Sequence, residues 1–430
     1  MADPFFATKN APFWWDQAPR EAITLPDVPA ETDIAVVGSG YTGLSAALTA
    51  LRGGKSVVVF EAENAGFGAS SRNGGGVGNF PFKLSYSKTV GMLGEAGAQQ
   101  LWKEGKASVD YLESLLETEQ IQAHFLRSGR YLGAHKPSAM EGLRREVGVL
   151  QEKLGADVRM VEAKNQQDHI GSEVYHGGRF NGGDGVIHPA EFHAGLLNRV
   201  RAAGGIICDG TRVTGIRREG TGLRINTERG SLLAGQACIG ANGYTDGALG
   251  SLERRVIPVA SQIIATEEMP EEQVKRLVPR GNMIIDTKRT VHYYRASHDG
   301  RRILMGGRPL LKNSTPQQAA PHLRKFMVKV WPELADVPIS HAWGGKLGFT
   351  FDKLPHIGVV DGVHYACGYL GSGVAMSTYL GHKLGQRMLG DPAGQTALDG
   401  RSFPTMPFYQ GNPWFLSIVA AYYRVRDSIG

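Results

Sequence analysis

The sequence predicts an α/β fold, and three observations predict it. Between residues 33 and 61 the chain reads apolar strand, glycine turn, Ala/Leu-rich helix, second strand, acid. Between 365 and 377 it again reads strand, glycine turn, helix. From about 246 to 342 the pattern changes to alternating strand-like stretches, which suit a mixed or antiparallel sheet. A chain of 430 residues accommodates two or three folding units. Glycine is in excess, 58 of 430, about 13% against a typical ~7%. No collagen-like period is present, so these glycines serve turns and close backbone approach.

The first segment carries chemistry. Asp33-Ile34-Ala35-Val36-Val37 reads as a short buried strand, and Leu44 to Leu51 as a helix. Between them stands Gly38-Ser39-Gly40-Tyr41-Thr42-Gly43. Gly38 permits the tight turn, Gly40 lets backbone approach a pyrophosphate, and Gly43 lets helix and strand pack closely. The helix N-terminus offers free N–H groups and its positive dipole end to phosphates. Ser56 to Phe60 is the next strand, and it ends at Glu61, 23 residues after Gly38, where an acid accepts hydrogen bonds from a ribose diol. Strand, turn, helix and acid agree on a Rossmann-like dinucleotide site.

Other classes are excluded or disfavoured. No run of 18 apolar residues predicts a transmembrane segment, and Met1 to Asp16 lacks a signal peptide's apolar stretch. Cys208, Cys238 and Cys367 are too far apart to suggest a disulfide framework or a zinc cluster, so no metal is expected and a reducing cytoplasm is the default. The 47 Lys and Arg exceed 41 Asp and Glu by six but are scattered, so nucleic acid is not an expected partner.

After Glu61 an NAD dehydrogenase would return to helix and strand. Here Glu61-Ala62 leads into Gly66-Phe67-Gly68-Ala69-Ser70-Ser71-Arg72-Asn73-Gly74-Gly75, a donor-rich loop that can lie along an extended ligand. With this loop the sequence resembles the FAD-dependent amine and amino-acid oxidases of the D-amino-acid oxidase, glycine oxidase and sarcosine oxidase superfamily. Within it, the chain is most similar to the bacterial γ-glutamylputrescine oxidoreductase branch. The resemblance recurs at Ile187-His188-Pro189, Ala241-Asn242-Gly243-Tyr244, Tyr293-Tyr294-Arg295, Asp299-Gly300-Arg301, Trp343-Gly344-Gly345, Gly368 to Val374 and Ala421 to Asp427. It covers the chain from about residue 10.

The resemblance implies a discontinuous architecture. A Rossmann-like FAD-binding domain takes 30–105, 166–245 and 343–400. A substrate domain on a mixed or antiparallel sheet with helices takes 106–165 and 246–342. Extensions occupy 1–29 and 401–430. It also implies that Val213 backbone groups hold the adenine, that Ala241, Asn242 and Gly243 sit near the phosphates, and that Gly371, Ser372, Gly373 and Val374 face the flavin. The branch commonly carries His where Ser372 stands, a departure in this chain. Relatives that bind FAD covalently use a Cys near 346–352, where this chain has none, so noncovalent FAD is expected. Sarcosine oxidases place a Lys after the strand matching Ile303 to Gly306; it is absent here, with Lys346 and Lys353 as substitutes.

The implied reaction is hydride transfer from a carbon beside a neutral amine nitrogen to flavin N5. The substrate is an amine or amino acid, and O2 or another electron acceptor closes the cycle. A dehydrogenase serving a quinone or carrier, and a non-catalytic FAD-binding redox sensor, are the competing readings. Tyr293, Tyr294, Arg295, His292, Trp343 and His356 are candidates for the substrate wall, with Arg295 as a carboxylate clamp or an ion-pair residue. His188 reads as a helix-entry residue or a site residue. The coarser elements are helices at Asp110 to Glu119, Ala139 to Leu154, Pro189 onward and Pro321 to Val330, with strands at Ile206 to Val213 and Ala237 to Ala241. The aromatic residues Phe5, Phe6, Phe13, Trp14 and Trp15, and the stretch Trp414 to Val425, either pack across the chain's own domains or touch a membrane or another subunit. Oligomerisation is left open.

Overall fold

The structure, a computed structural model, describes residues 8–23, 25–79, 84–310 and 314–428. Phe5 and Phe6 lie outside them. Two eight-stranded sheets organise the chain.

The first sheet forms because its strands are apolar on both faces. Glu31–Val37 pairs in parallel with Val57–Phe60 on one side and Gly230–Ile239 on the other. Ile206–Cys208 and Val363–Cys367 extend it in parallel, and His356–Val360 closes the edge antiparallel. Alternate residues face opposite ways. Ile34, Val36, Val57 and Val59 pack on the helices Tyr41–Arg52, Pro189–Ala202 and Gly373–Met388. Ala35, Val58, Phe60 and Ile239 pack beneath the hairpin Val213–Glu219 and Gly222–Thr227. Burial on both faces is what a parallel sheet requires.

The second sheet runs Ile339–Phe349, Ile257–Thr266, Ile303–Gly307, His292–Ala296, Met283–Asp286, Arg130–Gly133, Gly178–Asn181, Val158–Val161. All its pairings are antiparallel except Met283–Asp286 with Arg130–Gly133. One face carries Ile264, Ile303, Met305 and Tyr294 against the helix Pro316–Val330. The other carries Ile263, Ala265, Leu304, Trp343 and Tyr293, turned toward Phe13 and Trp14.

Three expectations shift. Gly178–Asn181, placed with the nucleotide unit by the sequence boundaries, hydrogen-bonds inside the second sheet. Ile339–Phe349 crosses the boundary at 343 and pairs with Ile257–Thr266 along its length. The helix read at 110–119 spans Tyr86–Thr118, kinked at Gly94, and its stripe of Leu101, Val109 and Leu112 joins the core of the nucleotide unit. No helix among the described residues is long and apolar enough to cross a membrane.

Candidate functional site

The glycine turn is built by close approach. Gly38 has φ +98°, and its N–H donates to the Phe60 carbonyl at 2.8 Å. A Cβ on Gly43 would fall 1.9 Å from the Gly38 carbonyl oxygen, so helix Tyr41–Arg52 meets the turn only without a side chain there. The Gly40 cap carries no side-chain hydrogen bond. The Tyr41 N–H donates to the Ser70 hydroxyl at 3.0 Å, which brings the 66–75 loop onto the helix start.

Glu61 is held ready as an acceptor. The Ser39 N–H and hydroxyl donate to its carboxylate at 3.1 and 2.6 Å, and the Glu63 N–H at 3.1 Å. His193 Nε2 donates to the Ser39 carbonyl at 2.7 Å. Nearby, the Asp209 carboxylate accepts from the Ala65 N–H at 2.8 Å. Burial pushes the Asp209 carboxyl up to about 6; the Ala65 N–H opposes this and the Glu61 charge adds to it.

The 66–75 loop is pinned from both units. The Asn73 amide donates to the Ala69 and Ser70 carbonyls at 3.2 and 2.9 Å and accepts from the Gly75 N–H at 2.8 Å. Arg72 lies over the Trp15 and Phe67 rings at 4.5 and 4.4 Å and donates to the Gly344 carbonyl at 3.2 Å. Indole N–H groups reach in from Trp343 to the Arg72 carbonyl at 2.7 Å, Trp14 to the Asn73 carbonyl at 2.9 Å, and Trp15 to the Ser71 hydroxyl at 2.8 Å. Gly68 and Ala62 take their places on the same run of chain.

The second glycine turn docks on this assembly. The Gly368 N–H donates to the Asn242 side-chain oxygen at 2.9 Å, and the Leu370 N–H to the Gly348 carbonyl at 3.1 Å. Gly243 packs against the backbone of Leu347 and Gly348, beside Ala241. Helix Gly373–Met388 starts at Ser372 without a side-chain cap, and Gly371 and Val374 flank that start. Val213 is buried at the beginning of its strand. Two helix N-termini whose N-cap residues, Gly40 and Ser372, make no side-chain cap, an oriented acid and a loop between them fit an elongated dinucleotide: dipole ends for phosphate and flavin, a carboxylate for a ribose. Cys367 is buried, which pushes its thiol up and leaves it inert.

The substrate-wall candidates separate by strand parity. Tyr293 lies between the loop and the sheet: a Cβ on Gly74 would meet its ring at 2.9 Å, and one on Gly306 at 2.3 Å. Its hydroxyl pairs with that of Ser261 at 3.1 Å. Tyr294 points to the other face, bonded to the Tyr175 hydroxyl at 2.6 Å with Trp331 against its ring. His292 shares that far face, stacked on Phe326 and bonded to Asp286. Arg295 returns to the Tyr293 side but donates to the carbonyls of Ala296, Ile187 and Gly75 at 2.9, 2.9 and 3.4 Å. Burial lowers its guanidinium to about 10. His356 is bonded to Asp352 at 2.9 Å and stacked on Phe403. His188 caps helix Pro189–Ala202, accepting from the Glu191 N–H at 3.1 Å. Lys346 is exposed beside Tyr244.

Sequence reasoning missed His193, Asp209 and Ser261. His193 sits on a helix, Asp209 in the turn after the strand Ile206–Cys208 and Ser261 within a strand, so only the fold brings them to the glycine turn, the Ala65 N–H and Tyr293.

Known proteins of similar sequence and fold bear on this geometry. The protein named "Probable oxidoreductase OrdL" from Rhizobium meliloti is 32% identical, over 96% of this chain and 97% of its own length. The γ-glutamylputrescine oxidoreductase of Escherichia coli is 28% identical, over 99% of this chain and 97% of its own. Among solved structures, glycine oxidase from Geobacillus kaustophilus superposes with a TM-score of 0.72 at 21% identity, covering 88% of this chain and all but 1% of that one, with 99% matched. The model of the DAO family, described as FAD dependent oxidoreductase, matches residues 33–387. With a family match across most of its length, the chain belongs to the DAO family of FAD-dependent oxidoreductases and is an enzyme that uses FAD.

Proposed function

We propose that this enzyme oxidises the C–N bond of an amine or amino acid to an imine. The candidate substrates are a γ-glutamylputrescine-like polyamine conjugate, an N-alkyl amino acid or a D-amino acid, with O2 as acceptor giving H2O2. The supporting observation is Tyr293, wedged where the 66–75 loop meets the second sheet, with Trp343 beside it in the same apolar cluster. The 28% identity to a γ-glutamylputrescine oxidoreductase favours the polyamine conjugate.

When bound, FAD supplies a two-electron acceptor for hydride. The chain supplies position and environment. Gly38 to Gly43, Glu61, the 68–75 loop, Val213 and Ala241 to Gly243 hold the nucleotide, noncovalently. The start of helix Gly373–Met388 offers N–H groups to negative charge at the ring. Tyr293 and Trp343 form a dry wall, which disfavours an ammonium and so favours the neutral amine. The substrate carbon gives up hydride, the nitrogen lone pair forms C=N, and the nitrogen loses a proton. Water then hydrolyses the imine to a carbonyl, releasing ammonia from a primary amine or a smaller amine from an N-alkyl substrate. No side-chain base is required, because orientation and desolvation prepare the reacting C–H bond. We place the enzyme in the cytoplasm, where its three free cysteines stay reduced.

The test is anaerobic mixing of the yellow protein with secondary amines, polyamine conjugates, N-methyl amino acids and D-amino acids. Loss of flavin absorbance with at least one class is expected. Uniform failure across the panel sinks the proposal and favours the redox-sensor reading. Peroxide formed in air marks an oxidase; its absence, with dye reduction, marks a dehydrogenase.

A further inference from the structure

We propose that His124, Glu191 and His298 form a site for one divalent transition-metal ion of the zinc class, clamping the nucleotide unit to the second sheet. One ring nitrogen from each histidine and one carboxylate oxygen of Glu191 lie within 4.8 Å of one another. The three come from separate segments. His124 follows the helix Tyr86–Thr118, Glu191 lies in the first turn of Pro189–Ala202, and His298 lies in the turn between His292–Ala296 and Ile303–Gly307. Sequence spacing gave no hint, since His124 and Glu191 are 67 residues apart.

Two imidazoles and a carboxylate are a donor set zinc accepts, with a fourth position left for water. The hydrogen bonding already present is incomplete. His124 Nδ1 meets Glu191 at 2.6 Å, and the His124 and His298 rings stand 4.4 Å apart. His298 Nδ1 is buried with no hydrogen-bond partner. A His124–Glu191 pair alone explains neither His298's approach nor that unmet nitrogen.

Neighbouring hydrogen bonds fix the backbone that carries two of the donors. His188 Nδ1 accepts from the Glu191 N–H at 3.1 Å. Asp299, next to His298, accepts from the Gln17 amide at 3.2 Å and from the Ser297 hydroxyl. His124 has φ +46°, a left-handed conformation unusual for a non-glycine residue. Its side chain is exposed while Glu191 and His298 are half-buried, so an ion has a path in from solvent.

The test uses untagged, FAD-loaded full-length protein dialysed against Zn(II). Zinc is counted by mass spectrometry, and the thermal midpoint is measured with and without chelator. One zinc per chain is expected, with a midpoint that chelation lowers. His298→Ala and Glu191→Gln should each weaken zinc binding ~10-fold or more while flavin content holds. His322→Ala, on the exposed helix face, should bind as wild type. Wild-type protein with less than ~0.1 zinc per chain overturns the proposal, as does full zinc occupancy in the His124→Ala/His298→Ala double variant. Should His298→Ala fail to fold, the wild-type count and Glu191→Gln decide.

Discussion

At Tyr293 the second sheet presses against the 66–75 loop, and the gap on each side is the width of a glycine. The ring is therefore a positioned wall, and its shape should matter more than its hydroxyl. Tyr293→Phe keeps the wedge and loses the 3.1 Å contact to Ser261, so kcat/KM should fall by less than ~10-fold. Tyr293→Ala opens the wall, and a misplaced substrate should cost ~100-fold with FAD content unchanged. Equal losses in the two variants would assign the role to the hydroxyl. Parity explains why the sequence did not separate Tyr293 from Tyr294. Each face of the strand carries an aromatic ring and a polar side chain, His292 with Tyr294 on one and Tyr293 with Arg295 on the other, so alternation identified a strand without fixing which residues face the 66–75 loop. Asp209 offers a pH test at the same scale. Its folded pKa of about 6 lies above the ordinary value of 3.8, so the folded state holds the proton more tightly. Stability from this group is present below about pH 4 and is lost as pH rises through about 6. Asp209→Asn keeps an oxygen for the Ala65 N–H and removes the charge. It should stabilise the protein by roughly 1–3 kcal/mol at about pH 8 and converge on wild type near pH 4. Thermal midpoints across that range check it, and destabilisation at pH 8 would contradict it.

Helices Tyr41–Arg52 and Gly373–Met388, which begin at the two glycine turns, cross with almost no space between them. A Cβ on Gly381 would lie 2.3 Å from the Thr42 carbonyl oxygen and 2.9 Å from the Ser45 Cβ. Ser45 also donates to the Thr378 carbonyl at 2.7 Å, tying the same crossing. Gly381→Ala should force the helices apart, costing ~1–3 kcal/mol and weakening FAD retention through gel filtration. Gly142→Ala makes the contrast, because no atom lies within 4 Å of its Cβ position and the residue sits in the helix Pro137–Leu154. There alanine should add up to ~1 kcal/mol of stability through helix propensity, with FAD retention unchanged. The same elements show how far pattern carries. The strand–turn–helix of residues 31–52 was legible because propensity, glycine spacing and burial all agree. Helix Pro316–Val330 was read five residues late, from Pro321, since proline favours a first turn. The true start is the Thr315/Gln318 capping box, a local signal that Pro316 reinforces and that outweighs the second proline. The long helix Tyr86–Thr118 carries glycines at 91, 94 and 97, of which only Gly94 departs from helical geometry, so only its last stretch was legible from apolar spacing.

For the molecule as a whole, partner choice among strands is what the residue pattern leaves undetermined. Arg130–Gly133 alternates in burial and Met283–Asp286 is a short apolar run, but nothing local says that these two strands pair in parallel. The way the units close on each other also depends on the N-terminal segment, whose aromatic residues the sequence reads as packing across the chain's own domains in preference to a membrane or subunit contact. Trp14 is the centre of that closure. It is fully buried, its indole N–H reaches the Asn73 carbonyl, its ring stands 4.9 Å from His188, and the Arg295 guanidinium lies 5.7 Å from it. One side chain thus touches the 66–75 loop, the cap of helix Pro189–Ala202 and the second sheet. Around it, Lys9 bridges to the strand Ile339–Phe349 and Asp16 pairs with His341 at 2.9 Å. Trp14→Ala should remove this packing at a cost of ~3–5 kcal/mol and release the 66–75 loop. Trp14→Phe retains an aromatic body but strands the Asn73 carbonyl without its donor, a smaller cost of ~1–3 kcal/mol. Both the thermal midpoint and FAD retained after extensive dialysis should therefore fall in the order wild type, Phe, Ala. If Trp14→Ala lowers the midpoint yet keeps FAD as tightly as wild type, the tryptophan is a core residue only. If the two quantities fall together, the first turns of the chain clasp the cofactor loop to the sheet that carries Tyr293.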